Sequence, residues 1–234
     1  MSQHPFLNLG CGRVILPAPK PAHYALLPDA VTNYPLYWNV DRNAEPGVDQ
    51  VMDLFTYPWE LPSDSFDGAL LSHLIEHIPH AIRPAFIAPE TDDERQWWHD
   101  RREALADMQD GWFCFFSELF RVLTDGAPVH VLAPYAWSAG AASDPTHTRL
   151  ITEHSFYHSM KPDPNSPFQY QTGGIHFEVE DINYSIYTMF SHLVATPNDA
   201  PSEQQRKAVQ LQEALQTRLN VADTIYARLR VVKS

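Results

Sequence analysis

The sequence predicts an α/β fold built on a mostly parallel sheet. Three observations predict it. Short apolar runs recur along the chain, and each stops at a glycine or a polar residue. One central segment carries apolar residues at helical spacing. Strand-like runs lie on both sides of that segment, so strand and helix alternate in the later half.

The first run, Phe6 to Leu9, stops at Gly10-Cys11-Gly12 and reads as a strand entering a glycine-controlled turn. Pro17, Pro19, Pro21, Pro28 and Pro35 follow. An interior proline deletes a donor and clashes with the preceding turn, so no helix there exceeds a turn or two. Leu36 to Val40 is a second strand ending at Asp41, and Val48 to Met52 a third ending at Asp53. Phe66 to Leu71 is a fourth, ending at Ser72-His73, and a short helical turn then stops before Pro79.

Residues 80–111 are polar and charged and read as an insertion, largely helical from Asp92 to Met108. Trp97 and Trp98 are expected to anchor it on the core. From Trp112 to Leu123, the residues Phe113, Phe116, Leu119, Phe120 and Leu123 keep helical spacing, with Gly126 as a stop signal. Val129 to Leu132 is a fifth strand. Residues 162–174 read as loop, and Ile175 to Tyr187 contains strand material. Glu203 to Leu219 is expected to be an added amphipathic helix, with Ala208, Leu211, Leu215 and Leu219 along one stripe. Thr224 to Val232 is a closing strand. Residues 1–234 are taken as a single domain.

Composition narrows the function. Hydrophobic residues make up 44% of the 234 residues, enough for a sizeable core. Lys plus Arg number 16 against 29 Asp plus Glu, a net charge of -13. A chain this acidic is repelled by phosphate backbones, which argues against a nucleic-acid face. Cys11 and Cys114 are the only cysteines and give neither a disulfide framework nor a zinc-finger spacing. A reduced, cytoplasmic setting is expected. Met1 to Pro5 lacks the basic start of a signal peptide, and no apolar run is long enough to span a bilayer.

A ligand on an open parallel sheet sits beyond the carboxyl ends of the strands. Gly10 and Gly12 carry no Cβ and let the backbone approach it closely. Asp41 can accept hydrogen bonds from both hydroxyls of a ribose. Asp53 can meet the exocyclic amine of an adenine, with Leu54 against the ring. Cys11 has no basic neighbour in sequence and reads as a small packed residue, not a nucleophile.

The order Leu7-Asn8-Leu9-Gly10-Cys11-Gly12, then Asn39-Val40-Asp41, then Val51-Met52-Asp53-Leu54 resembles class I S-adenosylmethionine-dependent methyltransferases of the small-substrate, type 11-like kind. So do Leu61-Pro62-Ser63-Asp64-Ser65-Phe66-Asp67-Gly68, Ser72-His73-Leu74-Ile75-Glu76-His77, Glu118 to Ala127, and Asp144-Pro145-Thr146-His147. The resemblance implies a Rossmann-like three-layer sandwich with a seven-stranded, mostly parallel sheet whose last strand is antiparallel. It implies S-adenosylmethionine as cofactor, bordered by Gly10, Cys11 and Gly12. Asp41 and Arg42 would lie at the ribose, Asp53 and Leu54 at the adenine, and Ser72 and His73 near the sulfonium. Glu76 and His77 would line the substrate mouth, with His77 and His147 as candidate bases. The acceptor would be a small molecule or saccharide, and no metal ligands are expected.

The chain departs from the family pattern in three places. Asn8 stands where the family carries an acid, the glycine motif stops at Gly12, and the proline-rich stretch replaces the usual first helix. Two other readings stay open. The chain could keep the fold as a non-catalytic binding module. His73-Leu74-Ile75-Glu76-His77 also matches H-x-x-E-H, a zinc peptidase pattern that needs both histidines on one helix face. Pro79 argues against a long helix there.

Overall fold

The structure, a computed structural model, describes residues 4–17, 24–81, 83–84, 96–97, 99–100, 110–157, 160 and 174–233. Among the described residues nine strands form, in chain order: β1 (Phe6–Leu9), β2 (Tyr37–Asp41), β3 (Gln50–Val51), β4 (Thr56–Tyr57), β5 (Gly68–Ser72), β6 (Arg83–Pro84), β7 (Pro128–Pro134), β8 (Phe177–Ile186) and β9 (Ala222–Val231). Seven make one sheet in the order β3-β2-β1-β5-β7-β9-β8. β4 and β6 pair separately. All contacts from β3 to β7 are parallel, and β9 runs antiparallel to both β7 and β8. The expected mostly parallel sheet with a reversed last strand is therefore present.

Period-two alternation gives the sheet two apolar faces. Leu7, Leu9, Leu71, Val129, Val131 and Leu229 point to one face and join the larger core. The Gly111–Val122 helix covers that face with Trp112, Phe115, Phe116, Leu119 and Val122. Asp110 caps it by accepting from the Trp112 N–H at 2.8 Å. Each large side chain fully buried there contributes about 1.5–3 kcal/mol. Phe6, Leu70, Leu132 and Tyr226 point to the other face. Its cover is Leu16, Tyr24, Leu27 and Val31, drawn from the proline-rich stretch. The only helix described there spans Asp29–Thr32, as the prolines dictate.

The expected stripe on the added helix is not observed as drawn. The helix spans Pro201–Thr217, but Ala208 is exposed and Leu219 lies beyond its end, 69% exposed. Only Ala214 and Leu215 are buried, because the helix meets the core at its carboxyl end alone. Most of the 80–111 insertion, Trp98 included, and residues 162–173 lie outside the described residues. Trp97 is 39% exposed, with the Arg121 guanidinium over its ring at 5.3 Å. No helix among the described residues is long and apolar enough to cross a membrane.

Candidate functional site

A cleft of about 510 Å³ opens at the carboxyl ends of β1, β2, β3 and β5. The chain returns from the β3 edge to place β5 on the far side of β1, so the cleft lies at the switch in strand order. Gly10, Asp41, Arg42, Asp53, Leu54, His73 and His77 line it.

Gly10 and Gly12 have φ of +66° and +52°, a region that favours glycine. A Cβ on Gly10 would meet Leu74 Cδ1 at 2.9 Å, whereas one on Gly12 would meet nothing within 4 Å. Gly10 is thus glycine for packing and Gly12 borders open space. Between them Cys11 is 5% exposed. Burial, and then the Asp41 carboxylate, push its thiol up to about 11, so it stays protonated and packed as expected.

Asp41 is 7% exposed at the end of β2. Its Oδ2 accepts the Gly12 N–H at 2.8 Å, and its Oδ1 accepts the Asn43 N–H at 2.9 Å. The Asn43 side-chain amide also donates to Oδ1 at 3.2 Å, so Oδ2 is the oxygen that keeps a further lone pair for a ligand donor. Asp53 is held by its own turn: Oδ1 accepts from Phe55 N at 3.0 Å and Oδ2 from Thr56 Oγ1 at 3.0 Å. Leu54 is fixed from behind. The fully buried Trp59 donates from Nε1 to the Leu54 carbonyl at 3.0 Å. Trp59 N in turn donates to Glu118 Oε2 at 2.8 Å, and Arg121 closes on the same carboxylate at 2.8 Å.

Asn8 explains one departure from the family pattern. Its buried amide donates to the Val14 carbonyl at 2.8 Å and to Asn39 Oδ1 at 2.9 Å. Asn39 Oδ1 also accepts from Leu16 N at 3.0 Å, and Asn39 Nδ2 donates to the Leu16 carbonyl at 2.9 Å. An acid at position 8 accepts and cannot donate when ionised. The amide pins the stretch that replaces the first helix.

The other end of the cleft is built on β5 and the turn after it. Ser72 ends β5 and is hydrogen-bonded to Tyr24. His73 follows with φ +52°, an uncommon value for a non-glycine residue. Ile75–His77 forms a single 3₁₀ turn. Glu76 points inward and is 1% exposed. His77 Nδ1 lies 3.3 Å from the Thr146 carbonyl and 3.1 Å from Thr146 Oγ1. The His77 and His147 rings meet edge to face at 4.8 Å. Arg149 clamps this turn to the covering helix, donating to the Ile78 and Pro79 carbonyls and to Asp110 at 2.6 Å.

Cys11, Gly12, Ser72 and His147 are next to lining residues and not themselves part of the lining. The zinc peptidase reading finds no support. One 3₁₀ turn preceded by a left-handed His73 does not place His73 and His77 on one helix face. Sequence reasoning missed Asn43, Met52, Phe55, Leu74, Pro79, Thr146 and Thr148, all on the lining. All seven lie within two residues of a residue singled out above, which was their signal. Arg149 also lies two residues from His147, but its partners are 39 to 71 residues distant in sequence, so no local pattern shows its clamp.

The strand order with β9 reversed between β7 and β8 is that of class I S-adenosylmethionine-dependent methyltransferases, and the chain has their fold. No family model and no curated protein matches the sequence. Solved structures do resemble it. A SAM-dependent methyltransferase from Archaeoglobus fulgidus is 15% identical, with a TM-score of 0.47 over 97% of this chain and 86% of that one. The YcgJ protein from Bacillus subtilis is 13% identical, with a TM-score of 0.48 over 99% and 93%. The [4+2]-cyclase SpnF is also 13% identical, with a TM-score of 0.45 over 99% and 76%.

Proposed function

We propose that this chain transfers a methyl group from S-adenosylmethionine to a small-molecule or saccharide acceptor, as one methyltransferase-like domain with an insertion at 80–111. One observation carries the reading. Gly10, Asp41, Asp53, Leu54 and His73, from separate strand ends, converge on one cleft at the switch in strand order. Its volume suits a cofactor-sized ligand.

The residues present fit that cofactor. Gly12 leaves open space where a Cβ would stand, and the turn from Gly10 through Cys11 to Gly12 borders the methionine part. Asp41 Oδ2 keeps a lone pair for a ribose hydroxyl, with Arg42 beside it. Asp53 and Leu54 meet the adenine, with Met52 and Phe55 completing an apolar wall. Ser72 and His73 lie toward the sulfonium. When bound, S-adenosylmethionine supplies an electrophilic methyl group on a sulfonium. The protein's part is to align the acceptor with it and to exclude water. His77, on the lining, and His147, against it, receive the acceptor's proton where one must be lost.

Calorimetry with S-adenosylmethionine and S-adenosylhomocysteine tests the reading. Wild type is expected to bind both in the micromolar range. Asp41→Asn should weaken each about tenfold or more, since a hydrogen bond to a charged group contributes about 1.5–3 kcal/mol. Failure of wild type to bind either ligand overturns the proposal. Binding without turnover on any acceptor would favour the binding-module alternative.

A further inference from the structure

Glu76 is the least satisfied polar group in this region. Its carboxylate is 1% exposed, and neither Oε1 nor Oε2 accepts a hydrogen bond from a protein group. Burying a carboxylate without partners is costly enough that such groups are normally paired or bind metal. What faces Glu76 is imidazole. His147 Nε2 stands 4.0 Å from Oε1, and His73 Nδ1 stands 3.5 Å from it. One ligand atom from each of Glu76, His77 and His147 lies within 4.8 Å of the others.

Hydrogen bonding fixes which nitrogens are available. His147 Nδ1 sits 3.0 Å from the Ala141 carbonyl, which can only accept, so Nδ1 carries the proton. In the neutral imidazole Nε2 then carries the lone pair, and it stands between Glu76 Oε1 at 4.0 Å and Asp144 Oδ2 at 3.8 Å. His77 Nδ1 faces the Thr146 carbonyl and Thr146 Oγ1. That hydroxyl donates to Asp144 Oδ1 at 2.7 Å, so it too accepts from His77. The His77 proton therefore sits on Nδ1 and its Nε2 is left with a lone pair. Both imidazoles donate to backbone carbonyls and offer the opposite nitrogen, the arrangement that orients histidines at metal centres. A lone pair facing an ionised carboxylate repels it unless a cation or a proton lies between.

We propose that Glu76, His77 and His147 bind a divalent transition-metal cation, with zinc the best match to two imidazoles and one carboxylate. This set differs from the H-x-x-E-H reading: Glu76 is a ligand rather than a base, and His147 arrives from a distant loop. His77 lines the cleft, so a remaining coordination position faces the acceptor. Ligand atoms now up to 4.8 Å apart close to the spacing set by metal–nitrogen bonds of about 2.0–2.1 Å. The consequence for chemistry rests on the methyl-transfer reading. A hydroxyl of the acceptor bound at that position would lose its proton more readily, the cation taking over from a free imidazole base.

The test uses untagged protein, stripped with a chelator and then titrated with zinc. The expected result is one equivalent of tightly held zinc in wild type and at least about a tenfold loss of affinity in Glu76→Gln and in His147→Ala. Cobalt in place of zinc should give visible d–d absorption bands of a four- or five-coordinate site, a readout that needs no variant. No stoichiometric uptake of zinc, manganese or cobalt by wild type overturns the proposal. So does uptake unchanged in both variants, which would mean adventitious binding by surface histidines. Calorimetry with S-adenosylhomocysteine on the same stripped and zinc-loaded samples separates the two readings. Cofactor binding with no metal uptake overturns the metal site alone, and metal uptake with no cofactor binding overturns the methyltransferase reading alone.

Discussion

Two buried polar clusters sit on the same sheet and are finished in opposite ways. At Asn8 and Asn39 each amide hydrogen bond has its complement: donor meets carbonyl, and Asn39 Oδ1 receives both Asn8 and Leu16. At Glu76 the carboxylate is as deeply buried, yet no protein donor reaches it. A complete network fixes a loop and needs nothing more. An incomplete one keeps binding capacity for something outside the chain. The first cluster pins the segment that follows the glycine turn, and the second lies beside His73 and His77 at the other end of the cleft.

The difference can be broken first at Asn8. Asn8→Asp puts a charge against the Val14 carbonyl and Asn39 Oδ1 and should cost about 3–5 kcal/mol, read from the urea midpoint. His130 gives the next effect. It is buried against Tyr226, with Nδ1 2.8 Å from the hydroxyl, and desolvation lowers its pKa from 6.5 to about 4. Above pH 6.5 both folded and unfolded forms are neutral and the stability is complete. Between pH 6.5 and 4 the unfolded chain binds a proton that the folded one refuses, so stability falls as pH falls. The loss should approach about 3 kcal/mol by pH 4, and His130→Gln should flatten that slope in urea melts.

Glu76 should behave in the reverse sense. Glu76→Gln removes a buried carboxylate that accepts no hydrogen bond from the protein and should raise the stability of metal-free protein by about 1–2 kcal/mol in urea, while weakening zinc at least about tenfold. A lowered midpoint would place Glu76 with Asn8 among the structural groups. The smallest effect expected is at Thr146→Val, which removes the hydroxyl that accepts from His77. It should weaken zinc about tenfold and leave the fold unchanged by circular dichroism.

Much of the fold was legible in the sequence, because local apolar runs and their terminators mark strands well. β1, β2, β5 and β7 lie where the runs predict, within a residue or two. Asp41, Asp53 and His73 reach one cleft because parallel strands present their carboxyl ends together. The parts that were not legible depend on long-range pairing. Asn8 reads as a departure until Asn39, 31 residues on, is found beside it. Arg149 and Thr148 carry no motif, yet both bind the carbonyls of the Glu76–Pro79 turn. His147 belongs with Glu76 only once the chain has crossed β7 and returned. Periodicity misled at the added helix, where Ala208 and Leu219 keep the spacing but find no surface to cover.

The packing of Leu74 beside Gly10 has one more consequence. Leu74 stands between the glycine turn and the 3₁₀ turn that carries Glu76 and His77, and a methyl group on Gly10 would force its Cδ1, 2.9 Å away, to shift. A ligand that shifts Leu74 from one turn would be felt at the other, and any such linkage is reciprocal. If zinc changes the dissociation constant for S-adenosylhomocysteine by some factor, the nucleoside must change that for zinc by the same factor. Trimming Leu74 to alanine should bring that factor toward one.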